Sequence, residues 1–530
     1  MMTPRSAATL AVLAGLAAPT FGQAIVATPI FADPATPGTL GIRSFLDLTA
    51  TPSTANIVNT TSPFFSWTTN VFTTIFTTDA DPTGITDQFA ASYDLDTDTF
   101  TLLYQEGVTT TTTGETLLVF GTIPTINDDG TIGTVFGDPE TTTRGEGVVI
   151  GTPDMSGDYT YEVLLTGMSD SIPEGFFGVV ERSTSSPTVT IDADGEIAFQ
   201  DRDFGVAGAP DAVLANIDPA NKSGSQFSGV DIVGIEDVTV VGGQPIDPGT
   251  SMPGVETVNG IFEWRIDSTG DNSIYDGDLN GSSDFDDIVV VNNVIIAQEG
   301  IVFDGAAQTA AGLSPFDVIS TVDDATMNAF GQYAFLANFD ADPLGEWVVF
   351  DGGTGPQLIV AEMQPITPAF PNELWTSISD VALNAAGDVL VTGSTDADSS
   401  INGVAVVYDL TNNTQILIAR EGFTLVDLVP GTPGFEARLS EVQSTSQLAN
   451  SLDTAVIPAD LEDPVTEAQI GSSDGFIRVD FTREVRDVDA SGQLDAFDIG
   501  LGLIALPGFD FNLDGSFGTQ NDAQDFLSAF

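Results

Sequence analysis

The chain has no cysteine and no histidine, and its single lysine is Lys222. Without cysteine the fold cannot rest on disulfides, and no Cys-His pair can form. Without histidine there is no Ser-His-Asp triad and no His-ligated zinc. Lys222 lies in the polar stretch PANKSGS, which reads as a turn rather than as a desolvated Schiff-base pocket. Positive charge is scarce throughout: 12 basic residues face 77 acidic ones, for a net charge of −65. Such a surface repels phosphate backbones and anionic headgroups, which argues against nucleic acid and membranes as partners. No Gly-rich phosphate loop or dinucleotide fingerprint occurs. Helical periodicity is nearly missing, and beyond the N-terminal region no run reaches the ~20 apolar residues of a membrane span.

What is present is apolar and strand-forming. Hydrophobic residues make up 42% of the chain and include 35 Phe, enough for large cores, so this is no disordered acidic polymer. Residues 1–24 read as a bacterial Sec-type signal peptide. Arg5 precedes the apolar run Ala7–Ala18, and small residues follow at Gly22 and Ala24. The expectation is therefore a secreted or cell-surface protein without membrane insertion. After a segment at 25–44, residues 45–482 alternate Val, Ile, Thr and Phe in short runs broken by Gly, Asp, Asn and Pro, the pattern of strands and turns.

Within that region a motif recurs: Asn or Asp, a short turn with Gly, then a strand. Its anchors are Asn70, Asn127, Asp192, Asn259, Asn328, Asn384 and Asn450, and Asp453 stands where the last copy should have Gly. A second marker closes several units: YQEG at 104–107, AQEG at 297–300 and AREG at 419–422. Two markers with one period of about sixty residues argue for repetition, and units of this size with four short strands are propeller blades. The expected fold is mainly β: a seven-bladed β-propeller followed by a small α module at 483–530. A β-sandwich array or a solenoid is the competing architecture.

Three acidic loops carry the candidate metal ligands, all oxygen donors of the kind Ca2+ prefers. In DVDASGQLDAFD, the residues Asp487, Asp489, Ser491, Gln493, Asp495 and Asp498 occupy positions 1, 3, 5, 7, 9 and 12 of the EF-hand loop, with Gly492 at the turn. Ser491 and Asp498 depart from the usual Asp/Asn at 5 and Glu at 12. In DFNLDGSFGTQND, Asp510, Asn512, Asp514 and the Ser516 carbonyl match positions 1, 3, 5 and 7, and Asp522 closes the shell one residue late. The third loop, DGDLNGSSDFDD, offers Asp276, Asp278, Asn280, Asp284 and Asp287 at 1, 3, 5, 9 and 12. A strand follows this one, so it reads as a blade insertion; an ordinary Asp-Gly or Asn-Gly hairpin is the alternative.

The pair of C-terminal loops resembles a type I dockerin, the module that ties secreted proteins to cohesin receptors. The resemblance implies calcium-dependent folding and a cohesin-like partner, met by helices around Phe526 and Phe530. The propeller units resemble the tandem repeats of large secreted bacterial proteins that carry such tails. The preferred expectation is a non-catalytic recognition or scaffold protein docked through its tail. The alternatives are an extracellular polysaccharide-active enzyme, hydrolase or lyase, attached by the same device, and a calcium-dependent structural or adhesive surface protein. Glycoside hydrolysis needs only two carboxyl groups at a set distance, so the missing histidine does not exclude it. Arg478, Arg483 and Arg486, just before the tail, are candidates for orienting it against the acidic propeller.

Overall fold

Among the described residues seven mainly antiparallel blade sheets follow one another along the chain, and each covers one of the expected repeats. The computed structural model describes residues 26–29 and 57–481. Connecting stretches at 61–62, 79–87, 118–122, 137–146, 181–188, 203–210, 238–256, 281–284, 341–343, 368–369, 428–435, 443–445, 451–452 and 463–474, and the single positions 156, 168, 178, 398, 400 and 423, are outside that description. The blades span 57–105, 125–166, 179–235, 258–298, 319–361, 375–420 and 436–480. Blades four, five and six are plain four-stranded meanders.

Val26–Pro29, expected to lie in a segment before the propeller, instead belongs to blade seven. It pairs antiparallel with Gly475–Asp480, with Val26 opposite Asp480 and Pro29 opposite Ile477. One sheet thus takes strands from both ends of the described chain and closes the ring. Arg478 bonds Asp480, Asp98 and the Leu95 carbonyl across the seam between blades seven and one. It therefore serves the closure rather than a tail; Arg483 and Arg486 lie outside the described residues.

The core is divided among the blade interfaces. Seven apolar clusters each fill the space between two neighbours, from Phe65, Phe72, Phe89 and Phe476 at the closing seam to Leu390, Val407, Leu439 and Ile457 between blades six and seven. Middle strands are therefore buried on both faces, as in Val404–Tyr408, and read as continuous apolar runs.

The first repeat marker is a ring of capped turns. In blades two to six the carboxamide or carboxylate of Asn127, Asp192, Asp267, Asn328 and Asn384 accepts one or two backbone N–H groups of its own turn. The following Gly130, Gly195, Gly270, Gly331 and Gly387 take φ of 73–87°, which a side chain would resist. The fourth anchor is Asp267, not Asn259, which sits exposed within the strand Val258–Ile266. Where the anchor is Asn, its free N–H reaches the next blade. Asn127 donates to the Asp192 carbonyl, Asn328 to that of Asn384, and Asn384 to that of Ala449. Asp192 and Asp267 have no amide to donate, and there backbone links Ala193 N to Ser268 O and Ser268 N to Ala329 O take over. Asn450 completes the circle to the Ser66 and Thr69 carbonyls at 2.6 and 2.8 Å, and Asp128 accepts from Thr68 N and Thr69 N.

The second marker hands the chain to the next blade. Gly107, Gly300 and Gly422, all near φ 70°, donate their N–H to Leu117, Ile319 and Leu439, at the start of the following unit. Replacing Asn450 by Ala strips one buried and one half-buried carbonyl of their donor at the closing seam. The expected loss is about 1–3 kcal/mol, read as a lower midpoint in thermal or urea unfolding.

Lys222 bonds Asp170 at 2.8 Å and the Leu164 carbonyl at 2.7 Å beside the Phe227 ring, so it pins a small satellite sheet of four two-residue strands. Among the described residues no helix is long and apolar enough to cross a membrane.

Candidate active site in the central channel

The innermost strands of the blades line a central cavity of about 250 Å³. Phe64, Phe65 and Trp67 of blade one form one wall, with Trp67 fixed by donating to the Ile191 carbonyl at 2.8 Å. The opposite wall is acidic: Glu263 and Arg265 of blade four, Asp324 of blade five and Asp380 of blade six.

The same local device places these three acids. Each inner strand breaks register with its neighbour, between Ile261 and Trp264, Asp323 and Thr326, and Ile378 and Asp380. A β-bulge of this kind re-aims a side chain that a regular ladder would send elsewhere. The bulges press against the second strand so closely that a Cβ on Gly277 would meet the Gly260 carbonyl at 2.0 Å, and one on Gly393 the Ser377 carbonyl at 2.1 Å. Asp324 itself has φ 60°, a left-handed conformation uncommon for any residue but glycine. The Glu263 N–H, freed from the ladder, donates to the buried Asp276 at 2.9 Å.

Enclosure in the channel controls the protonation of Asp324 and Asp380. Burial, and then the charges of Asp380, Glu263, Asp323 and Asp276, hold the Asp324 carboxyl far above the ordinary range. Asp380 is also raised, by burial and then by Glu263, against the opposing pull of Arg265 and a hydrogen bond from Asp324. The two therefore form a carboxyl–carboxylate pair that retains a proton at neutral pH, with Asp324 as the donor. Asp324 Oδ2 is buried and has no hydrogen-bond partner among the described residues. Asp276, behind the bulge, is pushed up to about 8 by burial and then by Glu263. A protonated carboxyl, further carboxyl groups and one guanidinium on a single cavity is an acid–base set, and it needs neither histidine nor cysteine.

The predicted site residues lie elsewhere. The loop Asp276–Asp287 does not wrap an ion in sequence order. Asp276 turns to the bulge, Asp278 and Asp287 are cross-strand partners, and Asn280 donates to Asp237 and Thr257. Asp284 lies outside the described residues. Asp287 instead joins Asp286 and Glu299 in a group whose oxygens can hold a metal ion, with Asp278 alongside. Burial, then Asp278 and Asp286, push Asp287 up to about 6; burial, then Asp287, pushes Glu299 up to about 7. The tail ligands Asp487, Asp489, Ser491, Gln493, Asp495, Asp498, Asp510, Asn512, Asp514, Ser516 and Asp522 also lie outside the described residues.

Sequence reasoning missed Glu263, Asp324 and Asp380, although a signal was there. Each stands four residues before its turn anchor, Asp267, Asn328 and Asn384. Taking Asn259 as the fourth anchor hid the shared register.

No protein-family model and no curated protein matches the chain. Solved structures match its fold. An oligogalacturonate lyase in complex with manganese is 8% identical, TM-score 0.40, with 81% of this chain and 98% of that chain covered. The β-propeller domain of the Trilobed protease from Pyrococcus furiosus is also 8% identical, TM-score 0.40, covering 78% and 94%. A puromycin-hydrolysing peptidase of Mycobacterium tuberculosis is 11% identical, TM-score 0.38, covering 84% of this chain, which spans only 55% of that one. These are enzymes or parts of enzymes; the expectation of a non-catalytic recognition or scaffold protein is corrected on the acid set of the channel. The likeness extends to the fold alone; the argument for chemistry rests on the channel acids.

Proposed function

We propose that the protein is an extracellular polysaccharide-active enzyme, a glycoside hydrolase or lyase, working through the channel acids. The observation that carries this reading is the convergence of Glu263, Asp324 and Asp380 from one register of three adjacent blades, with a proton retained on the Asp324–Asp380 pair. Asp324 is the proton donor and Glu263 or Asp380 the complementary carboxylate. The N-terminal signal peptide would export the enzyme, and the dockerin-like tail would attach it to a cohesin-like partner.

The test is incubation of the full chain with neutral and uronate-containing polysaccharides, reading new reducing ends for either reaction and unsaturated ends for a lyase. Products from one class support the proposal; none from any class, with folded protein and calcium present, overturns it.

We propose calcium as the ion for Asp278, Asp286, Asp287 and Glu299 as well as for the tail. The donors are all hard oxygens, and their mutual repulsion is what a divalent ion would relieve. Adding calcium to chelated protein is expected to raise the propeller's melting point. An ion held only by the native state contributes about 2.7 kcal/mol at a hundredfold excess over Kd. Calorimetry of Asp287→Asn should show that rise abolished.

A further inference from the structure

A second cavity, of about 310 Å³, opens between blades six and seven and shares Ser379 with the channel. Ser379 immediately precedes Asp380, so the cleft and the acid pair meet at one point of one strand. The cleft wall is formed by the second strand of blade six at Thr392 and Ser394, the following connection at Asn402, and the inner strand of blade seven at Ser440 and Glu441.

The chemistry of the lining is uniform. Hydroxyls and an amide predominate, and the side chains of Ser379, Ser394, Asn402 and Ser440 make no hydrogen bond with other described residues. Of the two carboxylates, Glu421 already accepts the Gly403 N–H at 2.9 Å, which leaves Glu441 as the uncommitted charge. Among the described residues no lysine or arginine lines the cleft; Arg420 is paired with Glu373 at 2.7 Å and Arg438 with Glu462 at 2.5 Å. A polyanion entering here would meet Glu441, then the channel acids, with Arg265 as the one cation of the channel wall among the described residues. The hydroxyls of an uncharged sugar chain, by contrast, can pair with every donor and acceptor the cleft offers. The cleft by itself, at about 310 Å³, falls within the ~300–1,000 Å³ usual for ligand sites.

We propose that this cleft is the binding subsite through which an uncharged glycan chain reaches Asp324 and Asp380. The inference deepens the glycan-active reading and rests on it. It also selects hydrolysis over elimination, because elimination acts on an acidic sugar whose carboxylate must be neutralised, and this site is built against that charge. In the hydrolytic step Asp324 protonates the leaving glycosidic oxygen as the C–O bond breaks. Water adds its oxygen to the anomeric carbon and gives its proton to a channel carboxylate.

The experiment uses the full chain and two cleft variants, Asn402→Ala and Ser440→Phe, whose melting points report folding. Affinity electrophoresis in gels containing neutral glucan, xylan or mannan, or polygalacturonate, reads binding without turnover. Retardation by a neutral glycan, weakened about tenfold in Asn402→Ala, is the expected result. KM on the long polymer should rise by a similar factor while kcat on a short oligosaccharide holds. Retardation of both folded variants equal to that of the unmodified protein overturns the cleft while leaving the enzyme reading intact. Retardation by polygalacturonate alone overturns the uncharged-substrate assignment. Neither binding nor cleavage of any glycan overturns both.

Discussion

Asp324→Asn is expected to lower kcat on the cognate glycan by about 10²–10⁴-fold, the usual contribution of a positioned general acid. Asparagine keeps the shape of the protonated carboxyl and can still donate to Asp380, so the bulge and the hydrogen bond survive. What it cannot do is release a proton. The melting point at neutral pH should stay level or rise, because repulsion from Asp380, Glu263, Asp323 and Asp276 disappears with the ionisable group. Loss of activity with a retained melting point separates catalysis from folding. A folded variant keeping more than a tenth of the activity would remove Asp324 from the mechanism.

The second large effect is on stability against pH. Asp276, about 3% exposed, titrates near 8 in the folded protein against about 3.9 in an unfolded chain. Between those values the native state holds a proton that the unfolded chain has lost. Its stabilisation is complete below about pH 4 and declines by up to ~1.4 kcal/mol per pH unit until the group ionises in the native state as well. The Asp324–Asp380 pair is raised in the same direction, as are Asp192, to about 6, and Glu346, to about 7, both chiefly by burial. Urea unfolding with chelator present should therefore give a higher midpoint at pH 5 than at pH 8. Asp276→Asn should flatten that slope and be the more stable protein at pH 8. A midpoint that is constant or rises from pH 5 to 8 would show that the channel acids are solvated.

The parts of this protein that were legible in the sequence are those decided by neighbouring residues. Asn127, Asp192, Asn328 and Asn384 could be recognised as turn anchors because the bonds that make them so reach only two to four residues along the chain. The glycine of the Glu-Gly marker was legible through its own positive φ near 70°, which favours glycine whatever its partner. Asn259 misled because it too precedes a glycine, Gly260, yet lies within a strand. The Asp276–Asp287 loop misled differently. Its spacing suits an ion wrapped in sequence order, but the ladder between Ser273–Leu279 and Asp287–Val291 sets Asp278 opposite Asp287, and the group that can hold an ion draws on Asp286, Asp287 and Glu299 instead. Spacing along a chain says nothing about which of two compatible local structures the neighbouring strands will favour.

The sequence by itself determined the class of fold, the number of repeats and the exclusion of histidine, cysteine and phosphate-loop chemistry, because composition and period are properties of the chain alone. Only the tertiary structure decided which of 77 acids matter. Glu263, Asp324 and Asp380 are about sixty residues apart in turn, and although each stands four residues before a turn anchor, that spacing does not say that they face one cavity. They become a site because three inner strands bulge at one register and closure of the ring turns those bulges onto one cavity. There the loss of water, rather than the identity of the residues, raises the proton affinity of Asp324 and Asp380.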